Sequence, residues 1–301
     1  MRVLEFDQVS KSYGSTRALQ DLTFGVAPAS MFGFVGANGA GKTTAMRIAQ
    51  GVLAADSGAV RWQGAAVSLA VRRRMGYMPE ERGLYPKMTV HDQLVYFARL
   101  HGIPAGDAER KSIELIGRLG LGQRRDDAVE KLSLGNQQRA QLAVALVHDP
   151  EVLVLDEPFS GLDPVGVDAL AEVLKERATG GAPVIFSSHQ LDLVERLCDS
   201  VGIINRGRMV AQGSVDELRT GDGHTRLRVV VRGAPHGWER HVGGVHTVSA
   251  TDDEVLVDLP GANVEEIQQQ ILATAMSAGT VEHFSRVRPS LTELFREAVA
   301  A

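Results

Sequence analysis

The stretch GANGAGKT, residues 36–43, is the point from which the rest of the chain can be read. Residue by residue, Gly36-Ala37-Asn38-Gly39-Ala40-Gly41-Lys42-Thr43 satisfies the pattern G-x-x-x-x-G-K-[ST] without a gap. Each residue type has a physical use. Glycines let consecutive backbone N–H groups converge on an anion, and a helix starting after Lys42 adds the positive end of its dipole. Lys42 reaches β- and γ-phosphates as a point charge, and the Thr43 hydroxyl is a ligand for Mg²⁺, with Thr44 following in the first turn. A glycine turn followed by a chance Lys-Thr is the competing reading. The context decides against it, because the apolar run Met31-Phe32-Gly33-Phe34-Val35 precedes the loop and residues 43–50 have helical character.

Downstream, Val152-Leu153-Val154-Leu155 is a second unbroken apolar run, and it ends in Asp156-Glu157. In phosphoryl transfer by phosphate-loop proteins an aspartate at such a strand end supports Mg²⁺. Glu157 is then placed to polarise an attacking water as general base. An acidic pair merely solvated at a strand end is common, but it does not need a phosphate loop upstream.

Working outward, residues 3, 6 and 9 and the alternating Leu22, Phe24 and Val26 read as strands. From about 90 to 150 the period becomes helical, with Val90, Leu94, Phe97 and Leu100 on one face and Ile113, Ile116 and Leu119 on another. Residues 184–186 and 201–204 are further strand candidates, suited to a parallel sheet buried on both faces. Thr220-Gly221-Asp222-Gly223 reads as a linker. Beyond it, Leu227, Val229 and Val231 alternate, as do Val255, Val257 and Leu259, and Thr251-Asp252-Asp253-Glu254 reads as a turn. Residues 263–278 are helical with Val264, Ile267, Ile271 and Leu272 on one face, and Ser290-Leu291-Thr292-Glu293 is a capping box. This tail, 224–301, is a small α+β domain without a catalytic motif.

Composition bounds the partners. With 44% hydrophobic and 23% charged residues in 301, the chain has ordinary globular content. A formal charge of −5 argues against a nucleic-acid surface, and Arg72-Arg73-Arg74 reads as a solvated edge. Cys198 is the single cysteine, which leaves no intrachain disulfide and suggests an inert packing thiol. No secretory leader and no run near the ~18–20 apolar residues of a membrane span is visible, so the expectation is a cytoplasmic protein that meets the membrane through a partner.

Between the two motifs lies Leu132-Ser133-Leu134-Gly135-Asn136-Gln137-Gln138-Arg139. This segment is similar to the ABC signature sequence, written LSGGQ, with Leu134 at the third-position glycine and Asn136 at the fifth-position glutamine. Over about residues 2–220 the chain resembles an ABC transporter nucleotide-binding subunit. The resemblance implies an α/β phosphate-loop fold. That fold has a RecA-like core, an N-terminal antiparallel β-subdomain and a helical signature subdomain at about 85–150, followed here by the small α+β tail. It also implies MgATP hydrolysis by a head-to-tail homodimer, each ATP lying between one phosphate loop and the partner's Ser133, Gly135 and Asn136. Tyr13 resembles the adenine-stacking aromatic, although a strand tyrosine packing on the core remains an alternative. Ser160-Gly161-Leu162-Asp163 resembles the loop that crosses between subunits, and His189 matches the histidine that contacts the γ-phosphate.

One position departs from the pattern. In Met78-Pro79-Glu80-Glu81-Arg82, Glu80 stands where the family has a glutamine that meets the metal and the permease. Its charge joins Glu157 near the phosphates, and neighbouring carboxylates raise each other's pKa. This segment and the tail resemble bacterial ABC-2 exporters of the sodium- and drug-export kind, which implies a separate transmembrane permease with this subunit bound to its cytoplasmic face. An importer subunit, a soluble ABC ATPase acting on ribosomes or DNA, and a phosphate-loop kinase are the competing readings. The last leaves the signature segment and His189 unexplained.

Overall fold

The alternation predicted near the N-terminus forms a hairpin, β1 (Leu4–Tyr13) and β2 (Thr16–Val26), and β3 (Met31–Val35) follows, buried along its whole length. The computed structural model describes residues 3–220, 225–259 and 263–300 and divides after Ser214 into two compact units. In the first unit the chain continues through α1 (Lys42–Gln50), β4 (Ser57–Trp62), β5 (Ala65–Ala66), α2 (Leu69–Arg72) and β6 (Met75–Met78). Next come α3 (Val90–Leu100), α4 (Ala105–Arg118), α5 (Leu134–Leu146), β7 (Val152–Leu155) and α6 (Pro164–Thr179). The unit closes with β8 (Val184–Ser188), α7 (Leu191–Leu197), β9 (Ser200–Asn205) and β10 (Arg208–Ser214).

Two sheets result. The antiparallel one has the order β2-β1-β4-β5; the six-stranded one has the order β10-β9-β3-β8-β7-β6, with β10 antiparallel at its edge. The order is what matters for chemistry. Because β8 inserts between β3 and β7, all three parallel, the ends of β3, β7 and β8 lie side by side. The loops after these strands therefore converge, as open α/β sheets require of a ligand site. Phe24 ties the sheets together, stacking on Phe6 at 4.3 Å, Phe32 at 5.3 Å and Phe34 at 5.2 Å between ring centres. Each such buried ring contributes roughly 2–3 kcal/mol of apolar burial.

Two expected helix faces are corrected. On α4 the buried stripe runs Ala108, Ser112, Leu115 and Ile116, with Leu119 just beyond, and Ile113 lies outside it, 45% exposed. On α3 the buried residues are Val90, Gln93, Leu94 and Ala98, while Leu100 faces outward at 63% exposure. Polarity misleads here. Gln93 is buried because its amide accepts from Tyr85 N at 2.6 Å and donates back to Tyr85 O, so it occupies a core position that a hydrophobicity pattern assigns to its neighbours.

The second unit contains α8 (Val215–Thr220), β11 (Thr225–Arg232), β12 (His246–Ala250), β13 (Glu254–Leu259), α9 (Val264–Ala278), β14 (Thr280–Val287) and α10 (Leu291–Ala300). Its antiparallel sheet has the order β12-β13-β11-β14. The alternating Leu227, Val229, Val231, Val255, Val257 and Leu259 are buried with Ile271 and Ala275 of α9. The stripe of α9 continues through Val264, Ile267 and Ala278, and Leu272 falls outside it. Thr251 and Glu254 close the β12–β13 turn. The capping box is formed in both directions, Glu293 N donating to Ser290 Oγ and Ser290 N to Glu293 Oε2. Of the expected linker, Gly221, Asp222 and Gly223 lie outside the described residues.

Candidate active site

The loop after β3 owes its shape to two glycines. Gly41 caps α1 with φ +114°, a conformation closed to ordinary side chains, and Gly36 is packed so that a Cβ would stand 2.6 Å from Ile204 O. The Lys42 ammonium is buried inside the curve of the loop and donates to Gly36 O at 2.7 Å and to Ala37 O at 3.3 Å. Among the described residues the ammonium donates only to neutral carbonyls, with the Glu157 carboxyl near enough to feel its charge, an arrangement suited to receiving a phosphate. In front of it lies a cavity of about 360 Å³ lined by Ala18, Asn38, Gly39, Ala40, Gly41, Lys42, Thr43, Thr44, Glu80, Asp156 and Glu157.

Sheet order brings the acidic pair to this cavity. Asp156 is fully buried at the end of β7, and its Oδ1 accepts from Ser187 Oγ of β8 at 2.5 Å. Its Oδ2 is buried and accepts no hydrogen bond among the described residues. Next to it Glu157 adopts φ +50°, a left-handed conformation that costs a bulky residue on the order of 1–3 kcal/mol. Three bonds hold it: Glu157 N donates to Ser187 Oγ at 2.8 Å, and Gln138 Nε2 of α5 donates to Glu157 O at 2.9 Å and Pro158 O at 3.0 Å. The strained turn points the side chain at the cavity and at His189, whose Nδ1 is 3.0 Å from Glu157 Oε2.

Burial is the main reason the Glu157 carboxyl titrates above its ordinary value; Asp156 adds to the shift, while His189 and Lys42 oppose it. The anionic neighbour in this balance is Asp156, where the sequence suggested Glu80. Glu80 stands on the other wall, its Oε2 3.5 Å from Thr43 Oγ1. A hard divalent cation fits what is present. The unpaired Asp156 Oδ2, the Thr43 hydroxyl and Glu80 are all oxygen donors lining one cavity, the ligand set that Mg²⁺ uses beside a polyphosphate.

The other expected residues are elsewhere in the unit. Ser133 caps α5, its Oγ accepting from Asn136 N at 3.4 Å, and is exposed. Asp163 caps α6, accepting from Gly166 N at 2.8 Å and from Arg139 Nη2 at 3.3 Å. Gly135 lies against Gly161 and Leu162, where a Cβ would meet Gly161 O at 3.3 Å, so the starts of α5 and α6 are neighbours, with Ser133 and Asp163 exposed and Gly135 and Asn136 half-buried. Tyr13, 51% exposed at the tip of β1 with Lys11 Nζ 5.9 Å from its ring centre, packs on no core and lines no part of the cavity. Ala18, Gln138 and Ser187 are contributions that sequence reasoning missed. Gln138 was quoted only as part of a motif, and its burial at 5% exposure is a property of the fold.

A glycine loop cradling a buried lysine, facing a strand-end carboxylate pair, defines a phosphate-loop nucleotide hydrolase. Comparison with known proteins narrows the class. Residues 19–160 match the family "ABC transporter", and residues 213–299 match "ATP-binding protein DrrA1-3-like, C-terminal domain". An uncharacterized ABC transporter ATP-binding protein, YhaQ, of Bacillus subtilis (strain 168) is 38% identical, with 99% of each chain covered. The linearmycin resistance ATP-binding protein LnrL of the same organism is 31% identical over 97% of each. A solved ATP-binding subunit of an ABC transporter, 32% identical, superposes with a TM-score of 0.67 over 72% of this chain and 92% of its own. The chain belongs to the ABC transporter ATP-binding proteins, and is an ATP-binding, ATP-hydrolysing subunit.

Proposed function

We propose that this subunit drives export through a separate transmembrane permease, hydrolysing MgATP at two sites shared between two copies of the chain. No helix among the described residues is long and apolar enough to cross a membrane. The path for cargo then belongs to a permease, and the subunit sits on its cytoplasmic face. Export rather than import is favoured by two resemblances, the LnrL relative named for antibiotic resistance and the DrrA-like tail.

The observation that carries the chemistry is Glu157, buried, held in a left-handed turn and lining the cavity formed by the phosphate loop. In this reading Lys42 and the loop amides bind the β- and γ-phosphates. Thr43 and Asp156, with Glu80 beside them, would hold Mg²⁺, which would supply charge neutralisation at the phosphates. Glu157 accepts the proton of the attacking water, and its raised pKa brings its basicity closer to neutral pH. His189, within 3.0 Å of Glu157, orients that carboxylate and faces the γ-phosphate. Tyr13 offers an exposed ring on which adenine stacks, giving affinity without base-edge recognition. Ser133, Gly135, Asn136 and Asp163, at the neighbouring starts of α5 and α6, engage the nucleotide of the second copy.

The test is a Glu157→Gln chain incubated with ATP. It should bind ATP, hydrolyse it at least about a hundredfold more slowly, and run as a dimer in gel filtration. A variant that turns over at the wild-type rate removes Glu157 from the role of base. Copurification with a membrane protein and no solute-binding protein supports export, whereas dependence on a solute-binding protein overturns it.

A further inference from the structure

Two glutamines of α5, one turn apart, each span a site-bearing loop. Gln138 Nε2 donates to Glu157 O and Pro158 O at 2.9 and 3.0 Å. Gln141 Nε2 donates to Pro79 O at 2.7 Å and Glu81 O at 3.2 Å, one bond on either side of Glu80. Both side chains are about 5% exposed or less. The i,i+3 spacing places them on one helix face, and that face is turned to the ends of β6 and β7, from which the two loops leave. Buried amides carry a desolvation cost that a leucine at either position would avoid. Each amide spends both of its donor hydrogens on backbone carbonyls flanking a cavity carboxylate.

From this geometry we infer that Gln138 and Gln141 are positioning residues for ATP hydrolysis. Their amides suspend the Glu157 and Glu80 loops from the helix that starts at Ser133, and so fix where both carboxylates stand. The inference rests on the assignment of Glu157 as the base and adds the cause of its placement. Gln138 has the sharper task. The carbonyl it holds belongs to the residue at φ +50°, so losing that bond lets the turn relax toward ordinary backbone and carries the carboxylate away from His189. Gln141 has the same task at Glu80, holding the backbone carbonyls on either side of it. Because α5 also presents Ser133 at its first turn, one rigid element sets both the signature end and the carboxylate end of the unit.

The experiment uses the full chain with Gln138→Leu and Gln141→Leu, which remove the donors at similar volume. Gln138→Asn and Gln141→Asn serve as second variants that keep an amide but shorten its reach. Hydrolysis is measured over a range of ATP concentrations to separate kcat from KM, binding is read with a fluorescent ATP analogue, thermal melting is followed for each variant, and Glu157→Gln is run in parallel. A carboxylate displaced by about 1 Å loses on the order of ten- to a hundredfold in kcat. That loss is expected with the analogue's affinity unchanged within about twofold, since neither amide touches the phosphate loop. In both pairs of variants kcat should fall with KM unchanged, because the carboxylates leave their places while the phosphate loop is untouched. Wild-type kcat in the Leu variants overturns the inference. So does a kcat that falls only together with analogue affinity and melting temperature, the signature of a merely structural glutamine. If Glu157→Gln itself hydrolyses normally, the base assignment fails, and that outcome is distinct from either.

Discussion

Two regions of the first unit use the same chemistry, polar groups at helix starts, to opposite ends. At the start of α1 the groups face inward. Among the described residues Lys42 is buried with hydrogen bonds only to carbonyls, Asp156 keeps one carboxylate oxygen unpaired, and Glu157 is held in strained backbone. At the starts of α5 and α6 the groups are satisfied at home, Ser133 and Asp163 each capping its own helix in solvent. The first region is therefore unfinished electrostatically and calls for a ligand. The second is complete as structure, and in the proposed head-to-tail pair it would meet the nucleotide of the other copy. Leu134, 58% exposed between them, is an apolar side chain left uncovered where the two copies would meet.

The largest expected effect separates the regions at once. Lys42→Ala removes the buried charge around which the loop is folded, and ATP hydrolysis should fall by about 10³-fold or more, with loss of binding to an immobilised ATP analogue. Normal turnover would abolish the distinction between the unfinished and the finished region. Ser133→Glu places a carboxylate on the second region and should also be inactive by itself, though it leaves Lys42 untouched and still binds ATP. Mixing the two inactive chains then decides whether the regions belong to one site. In a head-to-tail pair, the Ser133→Glu copy supplies the intact loop and the Lys42→Ala copy the intact signature. Equal mixing should restore roughly a quarter of wild-type activity if subunits pair at random. No recovery, with dimers present, would place the whole reaction within one chain.

Much of this was legible before any coordinates, for a physical reason. A phosphate loop is a local device: its glycines, lysine and hydroxyl must be adjacent to work, and so 36–43 announces itself. Asp156-Glu157 was legible because a strand must end where the cavity begins. Ser187 was not. It serves Asp156 only because β8 lies beside β7, a neighbour relation 31 residues apart that no local pattern carries. Gln138, Gln141 and Gln93 were missed for a second reason, since buried amides read as surface until the carbonyls they satisfy are known. Periodicity locates the helices but misjudges their faces at Leu100 and Ile113, which match the spacing of the stripe yet lie outside it.

A smaller effect tests the electrostatics of the unfinished region. Burial raises the Glu157 pKa above its ordinary 4.5, so the carboxylate proposed as the base is lost at a higher pH than for a solvated glutamate. The acid limb of kcat should lie above 4.5 accordingly, and His189→Ala should move it higher, because His189 is the leading influence that lowers it. The sign for stability is opposite. A folded pKa above the unfolded one contributes stability that is fully present below the unfolded value and is lost as pH rises through the folded value. Glu157→Gln should therefore stabilise the fold at neutral pH, where the wild type holds a buried charge, and the gain should fade on acidification. Melting curves at several pH values read this directly. An equal gain at every pH would assign the effect to packing.

The smallest effect probes the finished region on its own terms. Asp163 accepts from Gly166 N and caps α6, and Asp163→Ala should cost about 1 kcal/mol, as N-cap deletions do. For a unit of this size that is roughly 2–4 °C in melting temperature. Asp163→Asn retains a good cap and removes only the charge facing Arg139 at 3.3 Å, and it should melt with the wild type. The two variants thereby divide capping from catalysis. If hydrolysis falls with Ala but not with Asn, the residue works through the shape of its helix start. If both variants fall while Asn keeps its full stability, the charge itself acts on the reaction, and the region that looks complete within one chain is under demand from the other.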